Sequence, residues 1–388
     1  MAATEDPPRD ERPGALQALM KAALALPILV APAKAAAEDN EMGFTLLGYK
    51  ERGLMKVTEP LVWARGTFDQ VWSVEASAAV DIVTGASPRL VSNAGGGPPV
   101  QTVSGASIND RRNTGDLKVT RRIGDFSIAA SGTLSKEEDY ESKAFGFEGS
   151  ADFNERNTTL VAGYGKSNDR VKSTDDPTLD APRYTTEYMA GVTQLLTPTS
   201  FVQSTLRWSR GEGYYDDPYK FTITFYPSGP PALAGDTRPD HRDTLNWLTR
   251  YRRHFPEVNG SLQADYRFYR DDWGIRAHTL ELAWQQSWGE QWSLRPALRY
   301  YTQSAADFYF ALIPQPQPPV LSSDPRLGAF GGLSPSLRLA HRFDNGFVIE
   351  GTLGYVRNSR ELHWGGGGSE AFETLQAVYG ILGIHRPF

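Results

Sequence analysis

Residues 262–270 read LQADYRFYR. In an extended chain Leu262, Ala264, Tyr266 and Phe268 fall on one face, and Gln263, Asp265, Arg267 and Tyr269 on the other, because successive strand side chains point to opposite sides. The pattern returns at TLELAWQQSW (279–288), where Leu280, Leu282, Trp284 and Trp288 oppose Glu281, Ala283 and Gln285. It returns again at WSLRPALRYYTQ (292–303), where Leu294, Leu298 and Tyr300 oppose Arg295, Arg299 and Tyr301. Runs of about 9 to 14 such residues, each ended by turn residues, are the per-segment signature of a transmembrane β-barrel.

The connections between these runs are of two kinds. RGTFDQ, RIGDF, FNERN, LTPTS, FPEVNG, WGEQ and FDNG are tight turns, and Asp-Asn-Gly is a strong hairpin signal. Between them lie long stretches rich in Gly, Pro, Ser and Asp: residues 85–113, 167–183, 211–243, 306–330 and 358–372. A soluble domain rarely carries so many long loops, whereas an outer-membrane barrel has short periplasmic turns and long outer loops. Counting back from Phe388 gives about sixteen antiparallel strands in one up-and-down barrel, with GFTLLGYKER (43–52) as the first. An even number is required, and fourteen and eighteen are the alternatives.

The bulk composition agrees. The 388 residues include 37 Gly, 17 Tyr, 18 Phe and 9 Trp, a vocabulary of strands, turns and aromatic girdles. A mean hydropathy of -0.44 excludes a bundle of membrane helices. With no cysteine there is neither a disulfide framework nor a thiolate metal site. A net charge of -6 argues against nucleic acid as a partner. The one long apolar run, AALALPILVAPAKAAAED (22–39), follows Arg9, Arg12 and Lys21 and ends in small residues of A-x-A type, Ala33 and Ala35. It reads as a signal peptide over residues 1–36, cut near Ala35 to Ala37, with the barrel over 37–388. Trp63, Trp72, Trp208, Trp247, Trp284, Trp288 and Trp292 fall near strand ends, where an interfacial girdle would sit.

The polar faces concentrate arginine: Arg207, Arg250, Arg252, Arg267, Arg295, Arg299, Arg338 and Arg342, with Asp265, Glu281 and Glu350 on matching faces. A lipid-facing arginine near the midplane would cost about 2 to 4 kcal/mol, so these side chains are expected to face the lumen. They form either a basic lining that concentrates anions or an arginine and carboxylate lattice that braces the wall. The final residues, YGILGIHRPF (379–388), place Gly380, Leu382, Ile384 and Phe388 on one face. Leu382, Ile384 and the terminal Phe388 resemble the signal that such barrels present to the barrel-assembly machinery. Arg386 and Pro387 depart from it.

Other constellations are weaker. The loop clusters KEEDYESK, YYDDPYK and DTRPDHRD offer carboxylates to a hard cation or to lipopolysaccharide, but no spacing matches a calcium loop, and solvated loop surface is the expectation. No metal or cofactor site is expected. TGASPR and the SGAS at 104–107 lack G-x-S-x-G and a nearby histidine; they read as polar caps where a strand leaves the membrane, with Asp81 and Thr84 bonding to the loop backbone. His278 and Glu281, three apart in a strand, point to opposite faces and share no metal.

DIVTGASP (Asp81–Pro88), DDPYK (Asp216–Lys220), DTRPDHRDTLNW (Asp236–Trp247), DYRFYRDDWGIRAHTLEL (Asp265–Leu282) and RYYTQSAADFY (Arg299–Tyr309) together resemble a family of proteobacterial outer-membrane proteins defined only as a domain of unknown function. The resemblance spans nearly the whole mature chain. It implies a barrel in the outer membrane of a Gram-negative bacterium, and a family-motif loop built on Asp81, Gly85, Ala86, Ser87 and Pro88. It brings no catalytic residues. The expected function is a passive, porin-like channel for small polar or anionic solutes. The alternatives are a non-conducting barrel that scaffolds a periplasmic or surface partner and, third, an outer-membrane hydrolase. Long segments 81–113 and 314–319 are the expected constriction or plug.

Overall fold

A computed structural model describes residues 40–388, apart from 86–87, 94–95 and 104–107. The signal-peptide segment, Ala86 and Ser87 of the motif, and the second SGAS lie outside the described residues. Sixteen strands close one antiparallel barrel. In order these are β1 (Glu41–Glu51), β2 (Met55–Phe68), β3 (Trp72–Gly85), β6 (Ile108–Ile123), β7 (Phe126–Lys136), β8 (Tyr140–Phe153), β9 (Thr158–Lys172) and β10 (Asp180–Thr197). They continue with β11 (Ser200–Gly213), β14 (His241–Phe255), β15 (Gly260–Asp271), β16 (Arg276–Trp288), β17 (Trp292–Gln303), β18 (Phe330–Arg342), β19 (Val348–Ser359) and β20 (Leu375–Pro387). Four short strands, β4 (Pro88–Ser92), β5 (Val100–Val103), β12 (Phe221–Thr224) and β13 (Ala232–Gly235), stand outside the wall.

Closure is made by the two ends of the chain. β20 pairs with β1 from Glu41↔Pro387 to Glu51↔Ala377, and the Phe388 N–H donates to the Asn40 carbonyl at 2.9 Å. No wall strand is left with an open edge, as hydrocarbon demands of a spanning sheet. All seven tight turns fall between consecutive wall strands on one end of the barrel. Several carry left-handed backbone, at Asp69, Gly124, Asn154, Asn259, Gly289 and Gly346, as hairpin turns require.

The strands run past the membrane on the other end. A tilted spanning strand needs about 9–11 residues, yet β10 has 18 and β9 has 15. The stretch 167–183, expected as a loop, is therefore mostly wall: only residues 173–179 connect β9 to β10. Likewise Asp81–Gly85 and Ile108–Asn113, assigned to a constriction loop from sequence, belong to β3 and β6 and pair with each other, as in Asp81↔Arg112. Gly85, the motif glycine, closes β3 at φ 129° where a Cβ would lie 2.7 Å from the Met55 Cα; Gly213 closes β11 at φ 124° in the same way against Arg183. At both rims only glycine lets the wall strand turn out beside its neighbour's backbone.

Outward faces carry the apolar residues, with Leu280, Leu282, Leu298, Leu337, Leu353 and Leu382 all exposed. Two aromatic belts bound them. At the turn end sit Trp72, Trp288 and Trp292, with Trp284 against Phe255 at 5.5 Å. The other belt runs Tyr164, Tyr188, Trp208 around the wall at 5.4 and 5.6 Å, and continues at Trp247 and Tyr266, 6.4 Å apart. Trp208 and Trp247 are thus mid-strand rather than at strand ends, because their strands extend beyond the apolar band. From Trp288 to Leu280, which pairs with Tyr266, the chain rises about 26 Å along the strand, the right order for a tilted band about 25 Å tall.

On the loop end, β13-β12-β4-β5 form a second sheet, with β12 and β4 parallel. It is built by loops 86–107 and 214–240. Loop 304–329 packs beneath it through Ile313 and Leu321 against Ala234. A second cluster, Trp273, Ile275, Ala306, Phe308 and Leu327, reaches Tyr215 and Tyr269. Loop 360–374 joins through Gln101 Nε2 to the Ala371 carbonyl at 2.5 Å and through Phe372 stacked on Phe330 at 4.3 Å. The loops of this end form a cap with its own core. The Pro-rich 314–319 segment belongs to this cap, as does the β4–β5 part of the first expected plug.

Candidate functional site

Register decides which side chains share the lumen. Arg250, Asp265, Glu281 and Arg299 stand in one row across β14, β15, β16 and β17. Arg267 lies one step above this row, paired in register with Leu248 and Thr279. Arg207 and Arg252 fall on the same face, as do Arg295 opposite Arg338 and Glu350 opposite Ala340. Arg342 shares that face but sits at the turn end, exposed. All eight arginines are therefore on the polar face opposite the leucines.

They are not equivalent. Arg207 bonds Glu187 at 3.2 Å and Arg295 bonds Glu281 at 3.1 Å. Arg252 makes a two-pronged contact to Asp265, and Arg338 is hydrogen-bonded to Glu350. Arg250 stands 3.6 Å from Asp265, its buried Nε without a hydrogen bond. Among the described residues, Arg267 and Arg299 have neither an ion pair nor a side-chain hydrogen bond. A small cleft gathers Arg250, Arg267 and Arg299 with Asp265, Glu281 and Thr279. Across the belt Arg207, Arg250, Arg252, Arg267, Arg295 and Arg299 face Glu187, Asp265 and Glu281. Six cations against three carboxylates leave a surplus of three positive charges on this side of the lumen, from β10 to β17, while the facing β2–β8 wall carries Glu59, Glu75, Asp116 and Glu148 with Lys118.

Toward the loop end the lumen changes character. A cavity of about 510 Å³ opens between β6–β11 and β14. Its wall is mostly hydroxyls, and its three arginines are paired. Arg183 is bonded to Asp169 at 3.0 Å and to the Tyr140 hydroxyl at 2.8 Å. Arg242 bonds Asp271 at 2.6 Å and lies 4.1 Å over the Trp273 ring. Arg112 stands 2.8 Å from Asp81 in an ion pair, its buried Nε and one terminal nitrogen without a hydrogen bond. Asp81 thus ties β3 to β6 through the cross-strand guanidinium; the start of the loop it was expected to cap lies outside the described residues.

Two acidic clusters that sequence assigned to solvated loop surface are buried. Glu137 and Asp139 are 6% and 7% exposed and meet Asp110, which the β6–β7 register brings over from 27 residues away. Tyr219 donates to Asp139 at 2.8 Å, and Arg112 is 3.6 Å from Glu137. In the cap, Arg238 bonds Asp236 at 2.6 Å and Asp324 at 3.0 Å, while Arg326 bonds Asp217 at 2.8 Å and also Asp324. Burial alone would raise the Asp324 carboxyl, but Arg326, Lys220 and Arg238 together pull it well below the usual carboxylate range. Burial pushes Asp236 the other way. These acids need partners because a buried lone charge is expensive; besides the arginine two residues on in each loop, the partners come from loops 86 and 109 residues apart. Sequence spacing carries no signal for them.

At the closing strand, Leu382 and Ile384 lie on the exposed face and Phe388 just beyond β20. Arg386, on the same face, lies 5.0 Å over the Phe347 ring at the turn end, where its charge can reach the interface. Among the described histidines, His254 meets Ser261 at 3.2 Å at the turn-end mouth, a contact that sequence did not reveal.

A search of curated proteins finds no sequence match. Solved structures of similar shape include CdiB from Acinetobacter baumannii (TM-score 0.54, 7% identity, 90% of this chain and 61% of that one). Others are a bacterial polysaccharide outer membrane secretin (0.49, 8%, 91% and 100%) and the CymD monoaromatic hydrocarbon channel (0.44, 9%, 91% and 89%). The chain thus spans about three fifths of CdiB, and at these identities the likeness is one of fold: a barrel of the outer-membrane type. Residues 16–182 and 177–376 match the family model described as "Protein of unknown function (DUF3570)", and the chain belongs to that family.

Proposed function

We propose that the barrel is a passive channel for small polar solutes, with a preference for anions, in the outer membrane of a Gram-negative bacterium. In that setting the tight turns face the periplasm and the cap faces outward, in contact with lipopolysaccharide, and Leu382, Ile384 and Phe388 address the barrel-assembly machinery. The reading involves no catalytic chemistry. The surplus of three positive charges on the Arg267 and Arg299 side of the wall supports it, because a basic patch in a confined aqueous path raises the local anion concentration. Purified protein in planar bilayers tests it: a steady current with anion preference is expected, and silence refutes it. One observation favours a second reading, a non-conducting scaffold for a surface or periplasmic partner. The cap has a buried core of its own over the outer mouth. A silent barrel with an intact cap would support that reading.

A further inference from the structure

The 510 Å³ cavity of the outer lumen is distinct in chemistry from the arginine belt below it. Its size lies in the range of small-molecule sites. Thr114, Thr133, Ser135, Ser142, Thr185 and Thr244 are among its lining hydroxyls, and each can both donate and accept. The guanidinium of Arg183 is held in one plane by Asp169 and the Tyr140 hydroxyl, and lies 5.4 Å and 5.3 Å from the Tyr140 and Tyr215 ring centres. A clamped guanidinium beside a clamped carboxylate presents adjacent donors and acceptors in fixed positions, the complement of vicinal hydroxyls. The three arginines of the cavity are ion-paired, to Asp81, Asp169 and Asp271, so an anion entering here would compete with carboxylates already in place. An apolar solute would leave the hydroxyls unsatisfied.

We infer that this cavity binds a small, neutral, polyhydroxylated solute of monosaccharide size, before charge is sorted at the belt below. The inference rests on the channel reading only in that a solute must reach the lumen. Tyr215, which comes from loop 214–240, closes one side, and a Cβ at Gly211 would overlap its hydroxyl. Gly211→Ala therefore displaces the ring, loosening its cation–π contact with Arg183 but leaving the Arg183–Asp169 ion pair in place.

The test is equilibrium binding to the full-length barrel in detergent, by calorimetry and saturation-transfer NMR, using methyl glucoside, glucuronate and sodium acetate as probes. Saturable binding of methyl glucoside at millimolar concentrations is expected, with acetate not binding and glucuronate binding more weakly than the neutral sugar; glucuronate binding as tightly as methyl glucoside would overturn the neutral-solute inference. Gly211→Ala and Arg183→Gln should each weaken methyl glucoside at least tenfold, with heat-modifiable gel mobility reporting folded barrel. If Arg183→Gln fails to fold, Thr185→Trp, which fills the cavity with the ion pairs intact, replaces it. Absence of saturable methyl glucoside binding overturns the inference, as does acetate binding as well as the sugar, or binding that survives Gly211→Ala. Bilayer conductance is read separately: sugar binding by a silent barrel would refute the channel and leave this site standing, and an anion-selective pore that binds no sugar would do the reverse.

Discussion

Replacing Arg267 and Arg299 together by glutamine removes the two belt charges that have no carboxylate partner, and so lowers the surplus from three to one. The effect can be sized. A unit charge at about 5 Å from a permeating anion in water contributes about 0.8 kcal/mol, a factor of about four in local concentration. Two such charges give about 1.7 kcal/mol, or roughly 15-fold, and screening at 0.1 M salt, with a Debye length of about 10 Å, reduces this to about 1 kcal/mol, or roughly fivefold. The anion-to-cation permeability ratio, read from reversal potentials in a potassium chloride gradient, should fall about fivefold. Melting should be unchanged or slightly raised, since relieving like-charge crowding costs the fold nothing. The contrasting variant is Arg295→Gln, which also removes one positive charge but strands Glu281, the partner it holds at 3.1 Å. It should shift selectivity less and lower the thermal midpoint, at a cost of about 1–3 kcal/mol. An unchanged permeability ratio in the double variant, in a barrel that conducts, would refute the argument that unpaired belt arginines set selectivity.

The cap offers a second perturbation: Asp324→Ala leaves Arg238 and Arg326 buried without their shared acid, at about 3–5 kcal/mol, so limited proteolysis should cut loops 214–240 and 304–329 while the barrel stays heat-modifiable. Because Asp324 is held below the ordinary carboxylate pKa of about 3.9, its stabilisation is full above about pH 4 and drains as pH falls below it. Asp236, shifted upward, has the opposite sign and offsets part of the loss, so cap proteolysis should begin only below pH 4, and an Asp324→Asn cap with an unaltered acid profile would count against this account. Gly85→Ala, forced to φ 129° against the Met55 backbone, should cost about 1–3 kcal/mol, read as a lower melting temperature of the purified barrel. Deleting Phe388 should reduce the fraction of heat-modifiable barrel recovered from membranes, and normal recovery would remove its assembly role.

Sequence alone determined the wall. Alternation in segments such as 262–270, seven tight turns and an even strand count pointed to about sixteen strands, with fourteen and eighteen left open, because the side-chain period of a strand is two and one face must meet lipid; the pairing of β1 with β20 fixed the number. The same rule put all eight arginines on the polar face. Where each strand left the membrane was not legible, since polar alternation continues beyond it, and 167–183 looked like a loop for that reason. What only the tertiary structure decided is pairing. Arg252 finds Asp265 and Arg295 finds Glu281 while Arg267 and Arg299 find no acid, and this depends on the register between strands, which no single strand encodes. The cap depends on it still more: β4 and β12 meet across 130 residues, and Asp324 is buried among cations from two loops. Composition made those loops look solvated, because a charge that will be neutralised by a distant partner has the same local sequence as one that stays in water.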